Sequence, residues 1–302
     1  MARELKGIYP AIVTPTDASG NISEDVHREL IERYIGVGVH GFYVLGGTGE
    51  GLFFTVEERK RFLEITVDQA AGRVGIMVHI GAFQIQDTLE LARHACDAGA
   101  DAISSLPNSW FFNIDADGLV EFYEQISSAC DLPLLAYNIP QRTGVQLSAS
   151  LMNRLLSIKN LVGLKHATGD ICQMANMIDL AKGKITVFMG EDGFLLPALM
   201  YGAQGGIGGG YPIMPRYYVD IYNNFVEGNY EKARDIQLKG NKLDTVYDGG
   251  AFIAKNMEML RMLGFDCGYG RSPNRRLTDN QAKDFRKAVE GINFPEAFAD
   301  AW

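Results

Sequence analysis

Eight short apolar runs, each followed by a stretch that reads as a helix, constrain this chain more than any other feature. The runs cover residues 8–13, 41–45, 74–80, 102–106, 133–137, 161–165, 185–189 and 205–208. Runs that are apolar on both faces and separated by helices belong to a parallel sheet. Helix starts are legible between them. Ser23 precedes Glu24 and Asp25, a polar N-cap followed by first-turn acids. Thr55-Val56-Glu57-Glu58 fits a capping box, and the helix it opens runs to residue 70. Ser148 opens the helix before the sixth run, and Asp170 opens the one after it. Eight such units predict an α/β fold, a closed (β/α)8 TIM barrel. The competing doubly wound sheet wants a GxGxxG turn after its first strand, and this chain has none there. Beyond the eighth run the pattern changes. Residues 216–226, 230–247, 249–263 and 278–290 read as helices with no strand between them, the last opened by the capping box Thr278-Asp279-Asn280-Gln281. The first completes the barrel and the others form a C-terminal helical extension. The expected division is therefore 1–226 for a catalytic barrel and 227–302 for a helical domain.

Composition narrows the partners. The chain has 302 residues, 47% of them hydrophobic and 22% charged, as in ordinary globular proteins. A net charge of −9 without a basic cluster leaves no footprint for a nucleic-acid backbone. No apolar run reaches membrane-spanning length, and residues 1–9 are too few and too charged for a signal peptide. Cys96, Cys130, Cys172 and Cys267 are scattered without a CxxC pair, which argues against a zinc site and a disulfide scaffold. The expectation is a cytoplasmic protein with no metal site.

In a barrel of this kind, chemistry collects where strands end. The sixth run, Leu161-Val162-Gly163-Leu164-Lys165, closes in a lysine. A lysine at a strand end often snorkels to solvent. Held against low-dielectric walls, its ammonium form is disfavoured, and a nucleophilic amine becomes available near neutral pH for imine formation with a carbonyl. The fifth run ends in Tyr137-Asn138-Ile139-Pro140. Neighbouring strands lie roughly 4.8 Å apart, so Tyr137 and Lys165 would share one small volume. A phenol beside an amine can move the protons that carbinolamine formation and loss of water require. The second run leads into Gly46-Gly47-Thr48-Gly49-Glu50, whose glycines let backbone N–H groups approach an anion and whose Thr48 adds a donor. A keto-acid carboxylate suits that turn. The glycines at 205, 206 and 208–210 also permit a phosphate, and on the residues alone both substrates stay open.

Gly46-Gly47-Thr48-Gly49-Glu50, Tyr137-Asn138-Ile139-Pro140, Gly163-Leu164-Lys165 and Gly205-Gly206-Ile207-Gly208 together resemble the motifs of the dihydrodipicolinate synthase/N-acetylneuraminate lyase family, in order and over nearly the whole chain. The resemblance implies a (β/α)8 barrel with a C-terminal helical domain, usually assembled as a homotetramer. It implies class I aldolase chemistry through a covalent imine with pyruvate, with no metal or organic cofactor. By the match, Lys165 is the Schiff-base lysine and Tyr137 the proton-transfer phenol. Gly47 and Thr48 hold the pyruvate carboxylate, and Ile207 offers a backbone carbonyl near the imine. Arg142, in Ile139-Pro140-Gln141-Arg142-Thr143-Gly144, resembles the synthase arginine that holds the second substrate's carboxylate. Gly190 and Asp192, beyond the seventh run, lie where an extended substrate would bind, and Glu191 and Asp192 can accept hydrogen bonds from its hydroxyls. The segments Gly169-Asp170-Ile171-Cys172-Gln173-Met174 and Gly268-Tyr269-Gly270-Arg271-Ser272-Pro273 look more like sialic-acid lyases.

Three departures stand out. Gly47 occupies the place of a threonine in the synthases and a serine in the lyases. The loop Pro107-Asn108-Ser109-Trp110-Phe111-Phe112 lacks the family's tyrosine. Asp192 is followed by Gly193, where the lyases carry an acid. The expected function is aldol cleavage of a sugar acid, N-acetylneuraminate or a 2-keto-3-deoxy sugar acid, to pyruvate and an aldehyde. Dihydrodipicolinate synthesis from pyruvate and aspartate semialdehyde is the alternative, and a keto-acid-binding barrel with little turnover is the alternative of another class. The apolar tip Trp110-Phe111-Phe112 is expected to pack against a second subunit of a homo-oligomer.

Overall fold

Parallel strands buried on both faces need helices on their outer side, and the chain supplies them in alternation. The structure, a computed structural model, describes residues 3–107, 114–247 and 250–292. Among these, the strands are β1 (Gly7–Ile8), β2 (Gly41–Val44), β3 (Gly75–His79), β4 (Ala102–Ser105), β5 (Leu134–Asn138), β6 (Leu161–His166), β7 (Thr186–Met189) and β8 (Gly205–Gly206). The barrel helices are α1 (Glu24–Val37), α2 (Val56–Ala70), α3 (Ile85–Ala98), α4 (Ala116–Ala129), α5 (Pro140–Thr143), α6 (Ala149–Leu155), α7 (Ile171–Leu180), α8 (Leu195–Met200) and α9 (Pro215–Val226). Beyond them lie α10 (Tyr230–Gly240), α11 (Phe252–Met262) and α12 (Asp279–Gly291).

Every pairing is parallel, in the order β1-β8-β7-β6-β5-β4-β3-β2. The ring closes where Ala11 bridges Tyr43, with the Tyr43 amide donating to the Pro10 carbonyl and the Ile12 amide to the Tyr43 carbonyl. The result is the (β/α)8 barrel, with the C-terminal helices packed on its outer core through residues such as Phe285 and Val289. Inside the ring, Leu5, Tyr9, Ala11, Tyr43, Met77, Ala102, Leu135, Phe188 and Ile207 form a second, smaller core. It is a filled interior, so chemistry is confined to the rim.

Local signals hold in most places. Thr55 and Thr278 form full capping boxes, and Ser148 and Asp170 accept amide hydrogen bonds at their helix starts. Ser23 is an N-cap by position, but its side chain makes no capping bond. Four expectations change. The first strand is two residues long rather than spanning 8–13, because Pro10 has no N–H to donate and breaks the regular ladder. The helix expected over 230–247 stops at Gly240 and continues as a 3-10 turn, Asn241–Val246. The next helix begins at Phe252. The expected eighth strand is also shortened, to Gly205–Gly206.

β6 carries the irregularity that matters most. Leu134 pairs with Leu161 and Leu135 with Gly163, so Val162 is an extra residue in the ladder. Leu161 and Leu164 pack toward the helices, whereas Val162 packs on the barrel interior. With strict alternation from Leu161, residue 165 would face outward. The inserted residue reverses the parity and turns Lys165 inward, a common use of bulges beside functional sites.

Candidate active site

β5 and β6 set the first pair. Tyr137 and Lys165 are register partners, and Asn138 and His166 are the next pair up the ladder. Below the rim, Gly163 leaves room for β7, since a Cβ there would lie 1.7 Å from the Thr186 carbonyl oxygen. His166 and Asn138 point away from the interior and are tied together. Asn138 Nδ2 lies 3.3 Å from His166 Nδ1, the far ring nitrogen of His166 meets the Asp170 carbonyl at 3.0 Å, and Asn138 Oδ1 accepts the Leu147 amide at 3.0 Å. These bonds fix the two strand ends whose preceding residues face the site.

Lys165 is 4% exposed, and Tyr137 is buried beside it. The amine lies 4.3 Å from the Tyr137 ring centroid and 4.2 Å from that of Tyr43. Burial pushes the Lys165 pKa down to about 7, and the Asp192 and Glu191 carboxylates oppose the shift. Burial also raises the Tyr137 phenol well above its usual range, with Glu191 adding to the rise and Arg142 opposing it. At neutral pH the pair is thus a partly neutral amine next to a protonated phenol. This is the combination that addition to a carbonyl requires.

The glycine turn after β2 comes next. The Thr14 hydroxyl donates to the Gly49 carbonyl at 2.7 Å, the Gly51 amide to the Gly46 carbonyl and the Glu50 amide to the Gly47 carbonyl. Among the described residues, the Gly47 and Thr48 amides donate to no backbone carbonyl. Thr48 is nearly buried and its hydroxyl faces Gly209, where a Cβ would lie 3.0 Å away. Gly47 is exposed, and an added Cβ would meet nothing within 4 Å. Its backbone does not need glycine, so the residue leaves open space at the rim.

Two residues that flank this turn, Leu45 and Glu50, hold positive φ angles of 59° and 53°. Side chains rarely adopt that conformation, so something must hold it. Glu50 is held from the far end of the chain. Its buried Oε1 accepts the Arg271 amide at 2.8 Å and Asn274 Nδ2 at 2.7 Å. The Thr16 hydroxyl donates to the Tyr269 carbonyl at 2.9 Å in the same region. The segment 268–273, which in the sequence looks like that of sialic-acid lyases, is therefore part of the brace behind the turn.

The remaining rim residues follow from β7 and β8. Gly190 sits against Ala167, where a Cβ would come within 2.7 Å of the alanine methyl, so a side chain would push on the loop after Lys165. Asp192 Oδ2 accepts the Gly210 amide at 2.6 Å, and the carboxylate lies against Gly208. Ile207 is fully buried, its amide donates to the Met189 carbonyl, and its own carbonyl accepts no backbone amide among the described residues. Arg142 is exposed on α5, close enough for its charge to be felt at Tyr137. The arrangement gathers Lys165, Tyr137, Gly47, Thr48, Ile207 and Asp192 at one end of the barrel, with Arg142 above and Gly190 supporting the wall. The expectation for Trp110-Phe111-Phe112 lies outside the described residues.

Three neighbours were not singled out from the sequence. Tyr43 lies on β2 as an aromatic in an apolar run, which looks like core. His79, buried at the end of β3, meets the Tyr137 ring edge to face at 6.2 Å. Arg59 on α2 donates to the His79 carbonyl at 2.7 Å and to the Gly81 carbonyl at 3.0 Å. The only signal for Arg59 and His79 is a charge or an imidazole at a core-facing position of its periodic element.

Known proteins resemble this chain over most of its length. The dihydrodipicolinate synthetase family model matches residues 4–292. A 4-hydroxy-tetrahydrodipicolinate synthase of Methanothrix thermoacetophila is 33% identical over 285 residues, covering 92% of this chain and 94% of its own. An N-acetylneuraminate lyase of Clostridium perfringens is 31% identical over 288 residues, covering 94% of this chain and 99% of its own. Among solved structures, YagE, a prophage protein of the dihydrodipicolinic acid synthase family from E. coli K12 in complex with pyruvate, superposes with a TM-score of 0.91 at 25% identity, over 96% of this chain and 99% of that one.

Proposed function

This chain belongs to the dihydrodipicolinate synthetase family, a class of pyruvate-dependent lyases and synthases, and on that premise we propose that it is a Schiff-base lyase that cleaves a sugar acid to pyruvate and an aldehyde. The observation that carries the chemistry is the buried Lys165 amine, with its pKa pushed down to about 7, in register with Tyr137. Lys165 Nζ adds to the keto carbon, and the Tyr137 hydroxyl passes protons to and from the carbinolamine oxygen until water leaves. The Tyr137 oxygen, having given its proton to the departing water, takes the proton of the C4 hydroxyl; the C4 oxygen becomes the aldehyde carbonyl as the C3–C4 bond breaks, and the electron pair of that bond moves to the iminium. The aldehyde departs, and an enamine of pyruvate stays on Lys165. Protonation at C3 and hydrolysis release pyruvate and restore the amine. On this reading the Gly47 and Thr48 amides and the Thr48 hydroxyl hold the carboxylate, and the Ile207 carbonyl is offered to the imine nitrogen.

The preference for a sugar acid rests on the open space at Gly47, which suits a longer chain, and on Glu191 and Asp192, which can accept hydroxyl hydrogens. Arg142 suits a second acidic group beyond the breaking bond where the substrate carries one, and otherwise donates to hydroxyl oxygens. A second reading, condensation of pyruvate with aspartate semialdehyde, is supported by the same arginine and by the 33% identical synthase. A homo-oligomer, a tetramer or dimer, is part of the proposal.

Borohydride reduction in the presence of pyruvate tests the chemistry: one pyruvate is added per chain at Lys165, and Lys165→Ala abolishes it. An unmodified wild-type mass overturns the Schiff-base reading and leaves a keto-acid-binding barrel. Pyruvate release from a panel of sialic and 2-keto-3-deoxy sugar acids, run beside condensation with aspartate semialdehyde, tests the substrate. Efficient turnover in the condensation alone, lost in Arg142→Ala, reverses the order of the two readings.

A further inference from the structure

The second aromatic face on Lys165 has no role in the chemistry above. Tyr43 lies on β2, four strands round the ring from β6, and is fully buried. The Lys165 nitrogen is 4.2 Å from its ring centroid. The Tyr43 and Tyr137 rings meet at 89° with centroids 6.2 Å apart, so the nitrogen sits in a corner between two aromatic rings. Tyr43 is rigidly placed. Its hydroxyl donates to Ser104 Oγ at 3.3 Å, which keeps the oxygen on the β4 side. Its ring lies so close to Gly46 that a Cβ there would be 2.4 Å from Cε1. One ring therefore touches both the nucleophile and the backbone of the carboxylate turn. The face, not the hydroxyl, addresses the nitrogen.

We propose that the Tyr43 ring face is a catalytic element that stabilises the cationic nitrogen of the Lys165 iminium and sets that nitrogen over the carboxylate turn. The proposal rests on the Schiff-base reading. An aromatic face is negative and attracts a cation, most strongly where water is excluded. When the neutral amine adds to pyruvate and water leaves, the nitrogen keeps one proton and gains a positive charge. When a C3 proton leaves, the electron pair moves to the nitrogen and the charge is lost; reprotonation at C3 restores it. Tyr43 favours the charged iminium over the neutral amine and carbinolamine, and so favours expulsion of water. It favours the ammonium form of the free amine for the same reason, against the burial that disfavours it. Other groups facing the nitrogen are Tyr137 on β5, His79 on β3, held neutral by burial, and the Glu191 and Asp192 carboxylates after β7. None of them changes in the test below.

The test replaces Tyr43 in the full chain with phenylalanine, which keeps the ring face and serves as the reference, and then with mono-, di- and trifluorinated phenylalanines. Fluorine drains the negative face at nearly constant shape. Tyr43→Leu removes the face altogether. Two readouts use pyruvate alone, so the second substrate is not needed. They are the pH dependence of cyanoborohydride trapping at Lys165 and the exchange of pyruvate methyl protons for deuterium. From phenylalanine to the trifluoro ring, the trapping midpoint should move down by about one pH unit and the plateau of exchange above it should fall about 10-fold. Below the midpoint the loss should be smaller, because the ground-state ammonium loses the same attraction. A flat series overturns the proposal, and so does a loss that is equal at all pH values. If Tyr43→Leu does not fold, the fluorinated series still decides. Absence of trapping at Lys165 in the wild type defeats the Schiff-base reading itself, whereas trapping with a flat series defeats only the role of the ring.

Discussion

Replacing Lys165 with methionine should stabilise the protein while abolishing imine formation. The folded amine titrates at about 7 against an ordinary value of 10.5. Because the folded value is the lower one, the unfolded chain binds more protons between these two pH values, and stability rises with pH across that window. Below pH 7 both states carry the charge and the lysine destabilises the fold by its full amount. Above pH 10.5 it costs nothing. A shift of this size corresponds to about 5 kcal/mol at low pH and about 4 kcal/mol at pH 7. Methionine has a similar length and no charge, so Lys165→Met recovers part of that amount, on the order of 2–5 kcal/mol at pH 6.5. For a chain of this size the gain corresponds to a rise in Tm of about 3–8 °C. Paired denaturation of wild type and variant from pH 6 to 10.5 measures it. The gap should be largest at the acid end and close toward the alkaline end. A variant less stable than wild type at pH 6.5, or a gap that does not change with pH, refutes the argument. Either result would mean that the site holds its lysine as a cation and supplies no amine at neutral pH.

Three further outcomes are expected. Tyr137→Phe should slow imine formation and carbon–carbon cleavage by roughly 10²–10⁴-fold, read by single-turnover trapping; a near wild-type kcat would make the phenol structural. Arg142→Ala should raise KM for an acidic second substrate about 10–100-fold, while pyruvate trapping changes far less; an equal loss in both would place Arg142 at the pyruvate end. Glu50→Ala leaves the Arg271 amide and Asn274 without their acceptor, so stability should fall by about 2–3 kcal/mol and KM for pyruvate should rise together with it. Lower stability with an unchanged KM would separate the brace from the carboxylate turn.

The barrel, and the lysine proposed as its nucleophile, were legible for one reason: the strand period and the helix period are visible in residue types. Lys165 interrupts an apolar run, and Tyr137 ends the neighbouring one. What the pattern concealed was geometry set by single backbone events. Pro10 cuts the first strand short, because a missing N–H is not a matter of hydrophobicity. The Val162 insertion is silent in the sequence, since Val162 looks like any strand residue, yet it decides which way Lys165 faces. Tyr43 was hidden for the opposite reason. A tyrosine among Gly41, Phe42 and Val44 looks like packing, and only the fold brings it within reach of a lysine 122 positions later. Glu50 was read as the last letter of a glycine-rich motif, and its partners Arg271 and Asn274 lie too far along the chain for any local pattern to join them.

The brace behind the carboxylate turn has a consequence for the order in which the protein is made. Glu50 leaves the ribosome 224 residues ahead of Asn274. At ordinary rates of synthesis that is a delay of roughly 10–45 s. Throughout it, the strained turn at Leu45 and Glu50 lacks the hydrogen bonds that hold it. The eight strands can all have emerged, with Lys165 among them, while the turn after β2 is still loose. On the proposed reading, a growing chain cannot yet hold a keto-acid carboxylate there, and competence arrives late, with the segment that supplies Arg271 and Asn274.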